Sequence, residues 1–169
     1  MRVVLVAGPA GAGKSTLGRA LAAQMHAALL DLDDLTNPIL DAVWSGAGHW
    51  NDPEHRALVR PARYAVLRAA AAAQVATGID VVLVAPFTAA LAGGDEWAAL
   101  TAAVAPVEPF VVWIDTPADV LAERVRERAD ARDSGTESRP AAVPAILHVR
   151  VDGRRSTTDL VGEIRAGMV

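Results

Sequence analysis

Residues 8–15 read Gly8-Pro9-Ala10-Gly11-Ala12-Gly13-Lys14-Ser15 and fit the spacing G-x-x-x-x-G-K-[ST]. Glycines at these places open backbone conformations closed to other residues, so that successive N–H groups from Gly8 through Gly11, Ala12 and Gly13 can converge on phosphate oxygens. A helix opening here adds roughly half a positive charge at its N-terminus. Lys14 can reach the β- and γ-phosphates of a nucleotide, the Ser15 hydroxyl can ligate Mg²⁺, and Thr16 continues the same nest. Of the 16 basic residues, 15 are arginine, and the single lysine is Lys14.

A second constellation, Asp31-Leu32-Asp33-Asp34-Leu35, follows a short apolar run. Read as extended chain, it puts Asp31 and Asp33 on one side, because strand side chains alternate with period two. Phosphoryl transfer to an alcohol needs a carboxylate to orient the hydroxyl and accept its proton, together with help in holding magnesium. Two acids one residue apart meet both needs. The competing use of Asp33 or Asp34 is to cap a following helix.

Arginines form the remaining candidates. Arg124, Arg126, Arg128, Arg132 and Arg139 lie in one charged stretch that ends at Pro140. A guanidinium keeps its charge, binds phosphate oxygens bidentately and stacks on a nucleobase; Glu123, Glu127 and Asp130 can instead pair some of these residues on a solvated helix face. Arg56, Arg60 and Arg63 recur at spacings of four and three, one face of a helix, and suit an anionic group on a substrate. The run Asp152-Gly153-Arg154-Arg155 reads either as a loop at the edge of a nucleobase or as a simple turn before a capped helix. His26, His49, His55 and His148 have no metal-ligand spacing, and Trp44 and Trp50 can line a pocket or fill a core.

Strands are expected at Val3–Ala7, Leu29–Leu32, Asp80–Ala85, Phe110–Ile114 and Leu147–Val151, with continuous apolar runs that imply burial on both faces. Helices are expected after the glycine cluster, over Pro53–Thr77 with Gly78 as a stop, and over Asp95–Val104, Ala118–Ala129 and Thr157–Ala166. Strand-helix alternation of this kind calls for a mostly parallel sheet, right-handed crossovers and helices on both faces. Asn37–Asp52 and Asp130–Pro144 break the alternation and are candidate flaps, since ligands of such sheets sit outside the carboxyl ends of the strands. Asp115 ends an apolar run, but before Thr116-Pro117 it reads as a helix cap rather than a magnesium ligand. The strand ending Val84-Ala85-Pro86 carries no acid.

A chain of 169 residues, 52% hydrophobic and 21% charged, is the size of one domain with a true core. Alanine fills 36 positions, and no uncharged run reaches membrane-span length before a helix breaker. The apolar stretch at the start is too short for a secretory signal. Zero cysteines exclude disulfides and thiolate sites and agree with a reducing, cytoplasmic setting. A net charge of -4 argues against a nucleic-acid partner, so any bound anion must be held by a local nest of donors.

On residues 8–15, the paired acids and the arginine-rich stretch, the chain resembles the P-loop kinases of the nucleoside-monophosphate-kinase type, and more closely the gluconate kinase and shikimate kinase branches. The likeness runs over nearly the whole length, 1–169, as one domain. It implies a three-layer α/β fold with a five-stranded parallel sheet of order 2-3-1-4-5, an acceptor-side flap over 37–60 and an arginine-bearing lid over 124–144. Asp31-Leu32-Asp33-Asp34-Leu35 with Pro38 is similar to the D-G-D-x-L-H-P run of gluconate kinase, although Thr36-Asn37 replaces its L-H-P histidine; no glycine triplet follows the third strand as in shikimate kinase. The resemblance implies ATP and Mg²⁺ as cofactors, Ser15 and Asp31 at the metal, and Asp31, Asp33, Arg56 and Arg60 at the substrate. It implies catalytic roles for Lys14, Asp33, Arg128 and Arg132. Nucleotide contacts are implied for Arg124, Arg132, Arg139 and Arg154. One register gives the lid roles to Arg132 and Arg139, the other to Arg124 and Arg128.

The expected activity is transfer of the γ-phosphoryl group of ATP to a hydroxyl of a small metabolite by a monomer or homodimer. A sugar acid leads as acceptor, followed by an antibiotic, another secondary metabolite or a nucleoside. The rival from a different class is an ATP-binding regulatory module with little or no turnover.

Overall fold

The structure, a computed structural model, describes residues 1–44, 52–128 and 144–168, with the side chains of 125–128 outside that description. Five strands, β1 (Val3–Ala7), β2 (Ala28–Asp31), β3 (Val81–Val84), β4 (Phe110–Asp115) and β5 (Val149–Asp152), form one sheet in the order β2-β3-β1-β4-β5. Every neighbouring pair is parallel. Six helices alternate with them: α1 (Lys14–Met25), α2 (Leu32–Val43), α3 (Pro53–Ala76), α4 (Asp95–Ala103), α5 (Ala118–Arg128) and α6 (Thr157–Gly167). This is the α/β order implied by the kinase resemblance.

Alternation along the strands makes the three layers. Val3, Leu5, Val81 and Leu83 pack under Tyr64, Leu67 and Ala71 of α3 and Leu100 of α4. Their neighbours Val4, Val6, Val82 and Val84 pack under Leu17 and Leu21 of α1 and Leu160 and Ile164 of α6. Both faces of β1 and β3 are therefore covered, which explains why those strands read as unbroken apolar runs. Among the described residues no helix is long and apolar enough to cross a membrane.

The main departure from the sequence expectation lies after β2. The strand ends at Asp31, and Leu32–Val43 is helix, so Asp33 and Asp34 stand in the first helical turn and not on an extended segment. Leu32, Leu35, Thr36, Ile39 and Val43 fall at helical spacing, and the corner has its own cap: Asp31 Oδ1 accepts the Asp33 N–H at 3.0 Å. The cap is thus Asp31, two positions before the expected one. Pro38 inside this helix removes one ladder donor and hides the helical pattern from a sequence reading. Residues 37–43 and 53–60 of the expected flap belong to α2 and α3. Of what lies between them, residues 45–51, which include His49 and Trp50, lie outside the described residues.

Candidate active site

The cradle after β1 is built from backbone. Gly8 runs so close to β4 that a Cβ there would stand 2.9 Å from the Ile114 carbonyl oxygen. Gly13 holds φ +93° at the N-cap of α1, a conformation that strains any side chain. The N-cap Gly13 has no side chain to cap the helix and no acid sits in the first turn, an arrangement that suits an anion at this end. The half-buried Lys14 donates from Nζ to the Pro9 carbonyl at 2.8 Å, folded over the loop it belongs to. Ser15 is half-buried beside it and Thr16 is exposed.

Beside this cradle opens a cavity of about 180 Å³ lined by Ala12, Gly13, Thr16, Leu17, Ile114, Arg124, Gly153, Arg155, Thr157 and Leu160. Arg124 is fixed there, its Nη2 donating to the Gly153 carbonyl at 2.9 Å. Arg155 pairs with Glu163, and the position of Arg154 differs from the sequence expectation. Arg154 turns away to grip Asp152 through Nε and Nη2, the latter at 2.7 Å from Oδ2, and lines a separate cavity of about 280 Å³ with Asp115, Pro117 and Arg150. That guanidinium lowers the Asp152 carboxyl to about 2. Arg155, not Arg154, stands next to the cradle, a distinction between adjacent residues that only the direction of the turn decides. Asp115 at the end of β4 is paired with Arg150. Arg128, Arg132 and Arg139, with Arg126, lie outside the described side chains.

The second half of the site sits two strands away. In register Asp31 lies beside Val84, and Val84 beside Val6, so the corner after β2, the turn after β3 and the cradle after β1 leave the sheet side by side. Asp31 is buried, and its Oδ2 has no hydrogen-bond partner among the described residues. Asp33 is exposed, its side chain at 67%, and pairs with Arg63, whose side chain is only 12% exposed. Arg63 reaches it from a buried platform: Nε donates to Thr36 Oγ1 at 2.8 Å and Nη2 to Asn37 Oδ1 at 2.9 Å. Thr36 Oγ1 in turn donates to the Leu32 carbonyl at 2.6 Å. Thr36 and Asn37 are two of the four buried polar residues described. Their signal was in the spacing, since positions three and four beyond Asp33 share its face once the segment is helical.

Arg60, expected at the substrate, is held in a fork to Glu96 at 2.7 and 3.0 Å, with its guanidinium carbon 4.8 Å above the Tyr64 ring. The hydrogen bond to Glu96 raises the Arg60 pKa, and the same bond lowers that of Glu96. Arg56 is half-buried on the same helix, near the Trp44–His55 ring pair, whose centroids are 5.9 Å apart. Of the arginine row, Arg63 is the one joined to Asp33.

Among the described residues no three His, Asp or Glu side chains gather as a metal cluster. A single cation fits otherwise: the partnerless buried Oδ2 of Asp31 is the kind of atom that a cation or its water shell satisfies, and magnesium needs few protein ligands beside its waters and a phosphate.

A glycine-built nest after the first strand and a parallel sheet of order β2-β3-β1-β4-β5 make the P-loop fold. A family model described as an AAA domain matches residues 3–150, and the chain belongs to that family. None of the curated proteins matches it. Among solved structures it is similar to a protein assigned as a kinase from Chloroflexus aurantiacus, at 23% identity and TM-score 0.72 with 99% of this chain and 95% of that one covered. A gluconokinase from Sinorhizobium meliloti is 21% identical, TM-score 0.60, with coverage of 98% and 90%. A shikimate kinase from Aquifex aeolicus is 18% identical, TM-score 0.58, with coverage of 99% and 96%.

Proposed function

We propose that this chain is a small-molecule kinase that moves the γ-phosphoryl group of ATP to a hydroxyl of a small metabolite, a sugar acid being the leading acceptor class. The observation that carries the reading is the pairing of an α1 N-terminus whose N-cap Gly13 has no side chain with an exposed carboxylate, Asp33, that the half-buried Arg63 holds at the corner two strands away. A module that only senses nucleotide has no use for the second half.

In the reaction the acceptor O–H gives its proton to the Asp33 carboxylate while its oxygen bonds to the γ-phosphorus; the bond from that phosphorus to the β–γ bridging oxygen breaks and ADP leaves. Lys14 and the first N–H groups of α1 face the charge that develops on the phosphate oxygens, and positioning with electrostatics supplies most of the rate. Arg128 and Arg132 join them from the arginine-rich stretch, with Arg124, Arg139 and the 152–155 turn on the nucleotide. Magnesium, held by Ser15 and through water by Asp31, would neutralise phosphate charge. Asp31, Arg56 and Arg63 border the acceptor, with Arg60 behind them on Glu96 and the Tyr64 ring. A cysteine-free chain suits a reducing cytoplasm.

The test is ADP release with ATP and magnesium across a panel of hydroxylated metabolites. Stimulation by one class of acceptor is the expected result; a flat, low rate under every condition overturns the reading in favour of a regulatory nucleotide binder.

A further inference from the structure

Among the described non-glycine residues two hold a positive φ, His26 at the C-cap of α1 and Phe87 in the turn after β3. Phe87, fully buried, holds φ +51°, in the left-handed region that bulky side chains avoid. Such a conformation persists only where its surroundings over-determine it. Here the surroundings come from α3 and α4. The Phe87 N–H donates to the Tyr64 hydroxyl at 3.2 Å, and the two rings meet nearly edge-on with centroids 6.0 Å apart. The Phe87 carbonyl accepts the Leu91 N–H at 2.8 Å, which starts the next helical turn. Tyr64 is itself fixed from the other side, with Arg60 stacked over its ring and Arg60 forked to Glu96 in the first turn of α4. Burial pushes the Tyr64 phenol upward, so it keeps its proton throughout the neutral range.

The place of this turn gives the strain a use. β3 lies between β2 and β1, and its last residue Val84 is in register with Asp31 on one side and Val6 on the other. Residues 85–88 therefore leave the sheet between the Asp31–Asp33 corner and the phosphate cradle. Pro86 has no N–H, and that of Phe87 is bonded to Tyr64, so two successive backbone donors are withdrawn from any ligand at this wall. Pro86 and Thr88, on either side of the buried Phe87, are exposed.

We propose that Tyr64 is a positioning residue for the acceptor: its hydroxyl, braced by Arg60 and Glu96, holds the Phe87 turn in its left-handed form and so sets the wall of residues 85–88 between the carboxylate corner and the cradle. The acceptor half of this inference rests on the kinase reading; the backbone half does not. Arg60 thereby acts through Tyr64, not on the substrate directly.

Tyr64→Phe keeps the aromatic edge contact and the surface under Arg60 and removes only the oxygen. Its Phe87 amide is expected to exchange with solvent about five- to tenfold faster than in the wild type, as loss of one buried hydrogen bond implies, while amides of β1 and β4 keep their rates. With an acceptor that stimulates ADP release, its KM is expected to rise about tenfold with the Kd for ATP unchanged. Glu96→Gln, which loosens the brace and leaves the phenol in place, moves both readouts the same way by less. Unchanged Phe87 exchange in Tyr64→Phe overturns the proposal, and so does a uniform acceleration across the sheet, which would mark a merely structural role. Faster Phe87 exchange with an unaltered acceptor KM overturns the acceptor half. Failure of every acceptor to stimulate turnover sinks the kinase reading, and the exchange comparison then still decides whether Tyr64 sets the turn.

Discussion

The two ends of the site are made in opposite ways. The cradle is shaped by main chain, and what matters about Gly8 and Gly13 is the side chain they lack. At the acid corner, side chains do it: Arg63 donates to Asp33 and to Thr36 Oγ1, which in turn donates to the Leu32 carbonyl. A backbone site tolerates only residues that leave the loop its shape. A side-chain site places its groups by filling the interior with polar atoms that must all find partners, and a fault in one is passed to the next.

The sharpest way to break the contrast is at Lys14, whose ammonium folds over the cradle. Lys14→Ala is expected to abolish turnover, by about 10³-fold or more, and to weaken ATP binding, as read by single-turnover kinetics and calorimetry. Asp33→Asn separates the two ends: ATP affinity should stay within about twofold while turnover falls about 10²-fold. Equal activity in this variant removes Asp33 as the base.

Stability probes the platform. Arg63→Ala leaves Thr36 and Asn37 buried without their donor, and urea unfolding should show a loss of about 2–3 kcal/mol. Arg60→Ala, which removes a more exposed guanidinium, should cost less than about 1 kcal/mol. A reversed order would mean that the acid corner is not the better-supported one.

The smallest effect is a matter of pH. Arg60 holds the Glu96 carboxyl below its ordinary value of 4.5, so the stabilisation from this pair is present above that value and fades as pH falls through the lower folded-state value. Melting curves of wild type and Glu96→Gln should therefore differ slightly at neutral pH and converge only as pH falls well below the ordinary carboxylate range.

How far each end could be read from sequence follows from the same contrast. The cradle was legible, because a loop made of main chain demands glycine at fixed intervals and those intervals are local. The strand order came with the family likeness, and unbroken apolar runs at β1 and β3 supported burial on both faces. The acid corner was legible only in part. Asp31 and Asp33 stand out as acids, but Pro38 masks α2, so nothing local marks Thr36 and Asn37 as buried partners of an arginine. Their partner Arg63 lies 27 and 26 positions further along, a pairing that no local pattern contains. The choice between Arg154 and Arg155 depends on one turn, and the tie from Tyr64 to Phe87 spans 23 residues with no motif at either end.

Pro38 has a mechanical corollary. It offers no donor to the Asp34 carbonyl one turn behind it, so the ladder of α2 is interrupted between the turn anchored through Thr36 and Asn37 and the outer turns bearing the exposed Ile39 and Val43. The helix is built like a forearm with a wrist: the outer turns can bend about that joint while the carboxylate at its root keeps its aim.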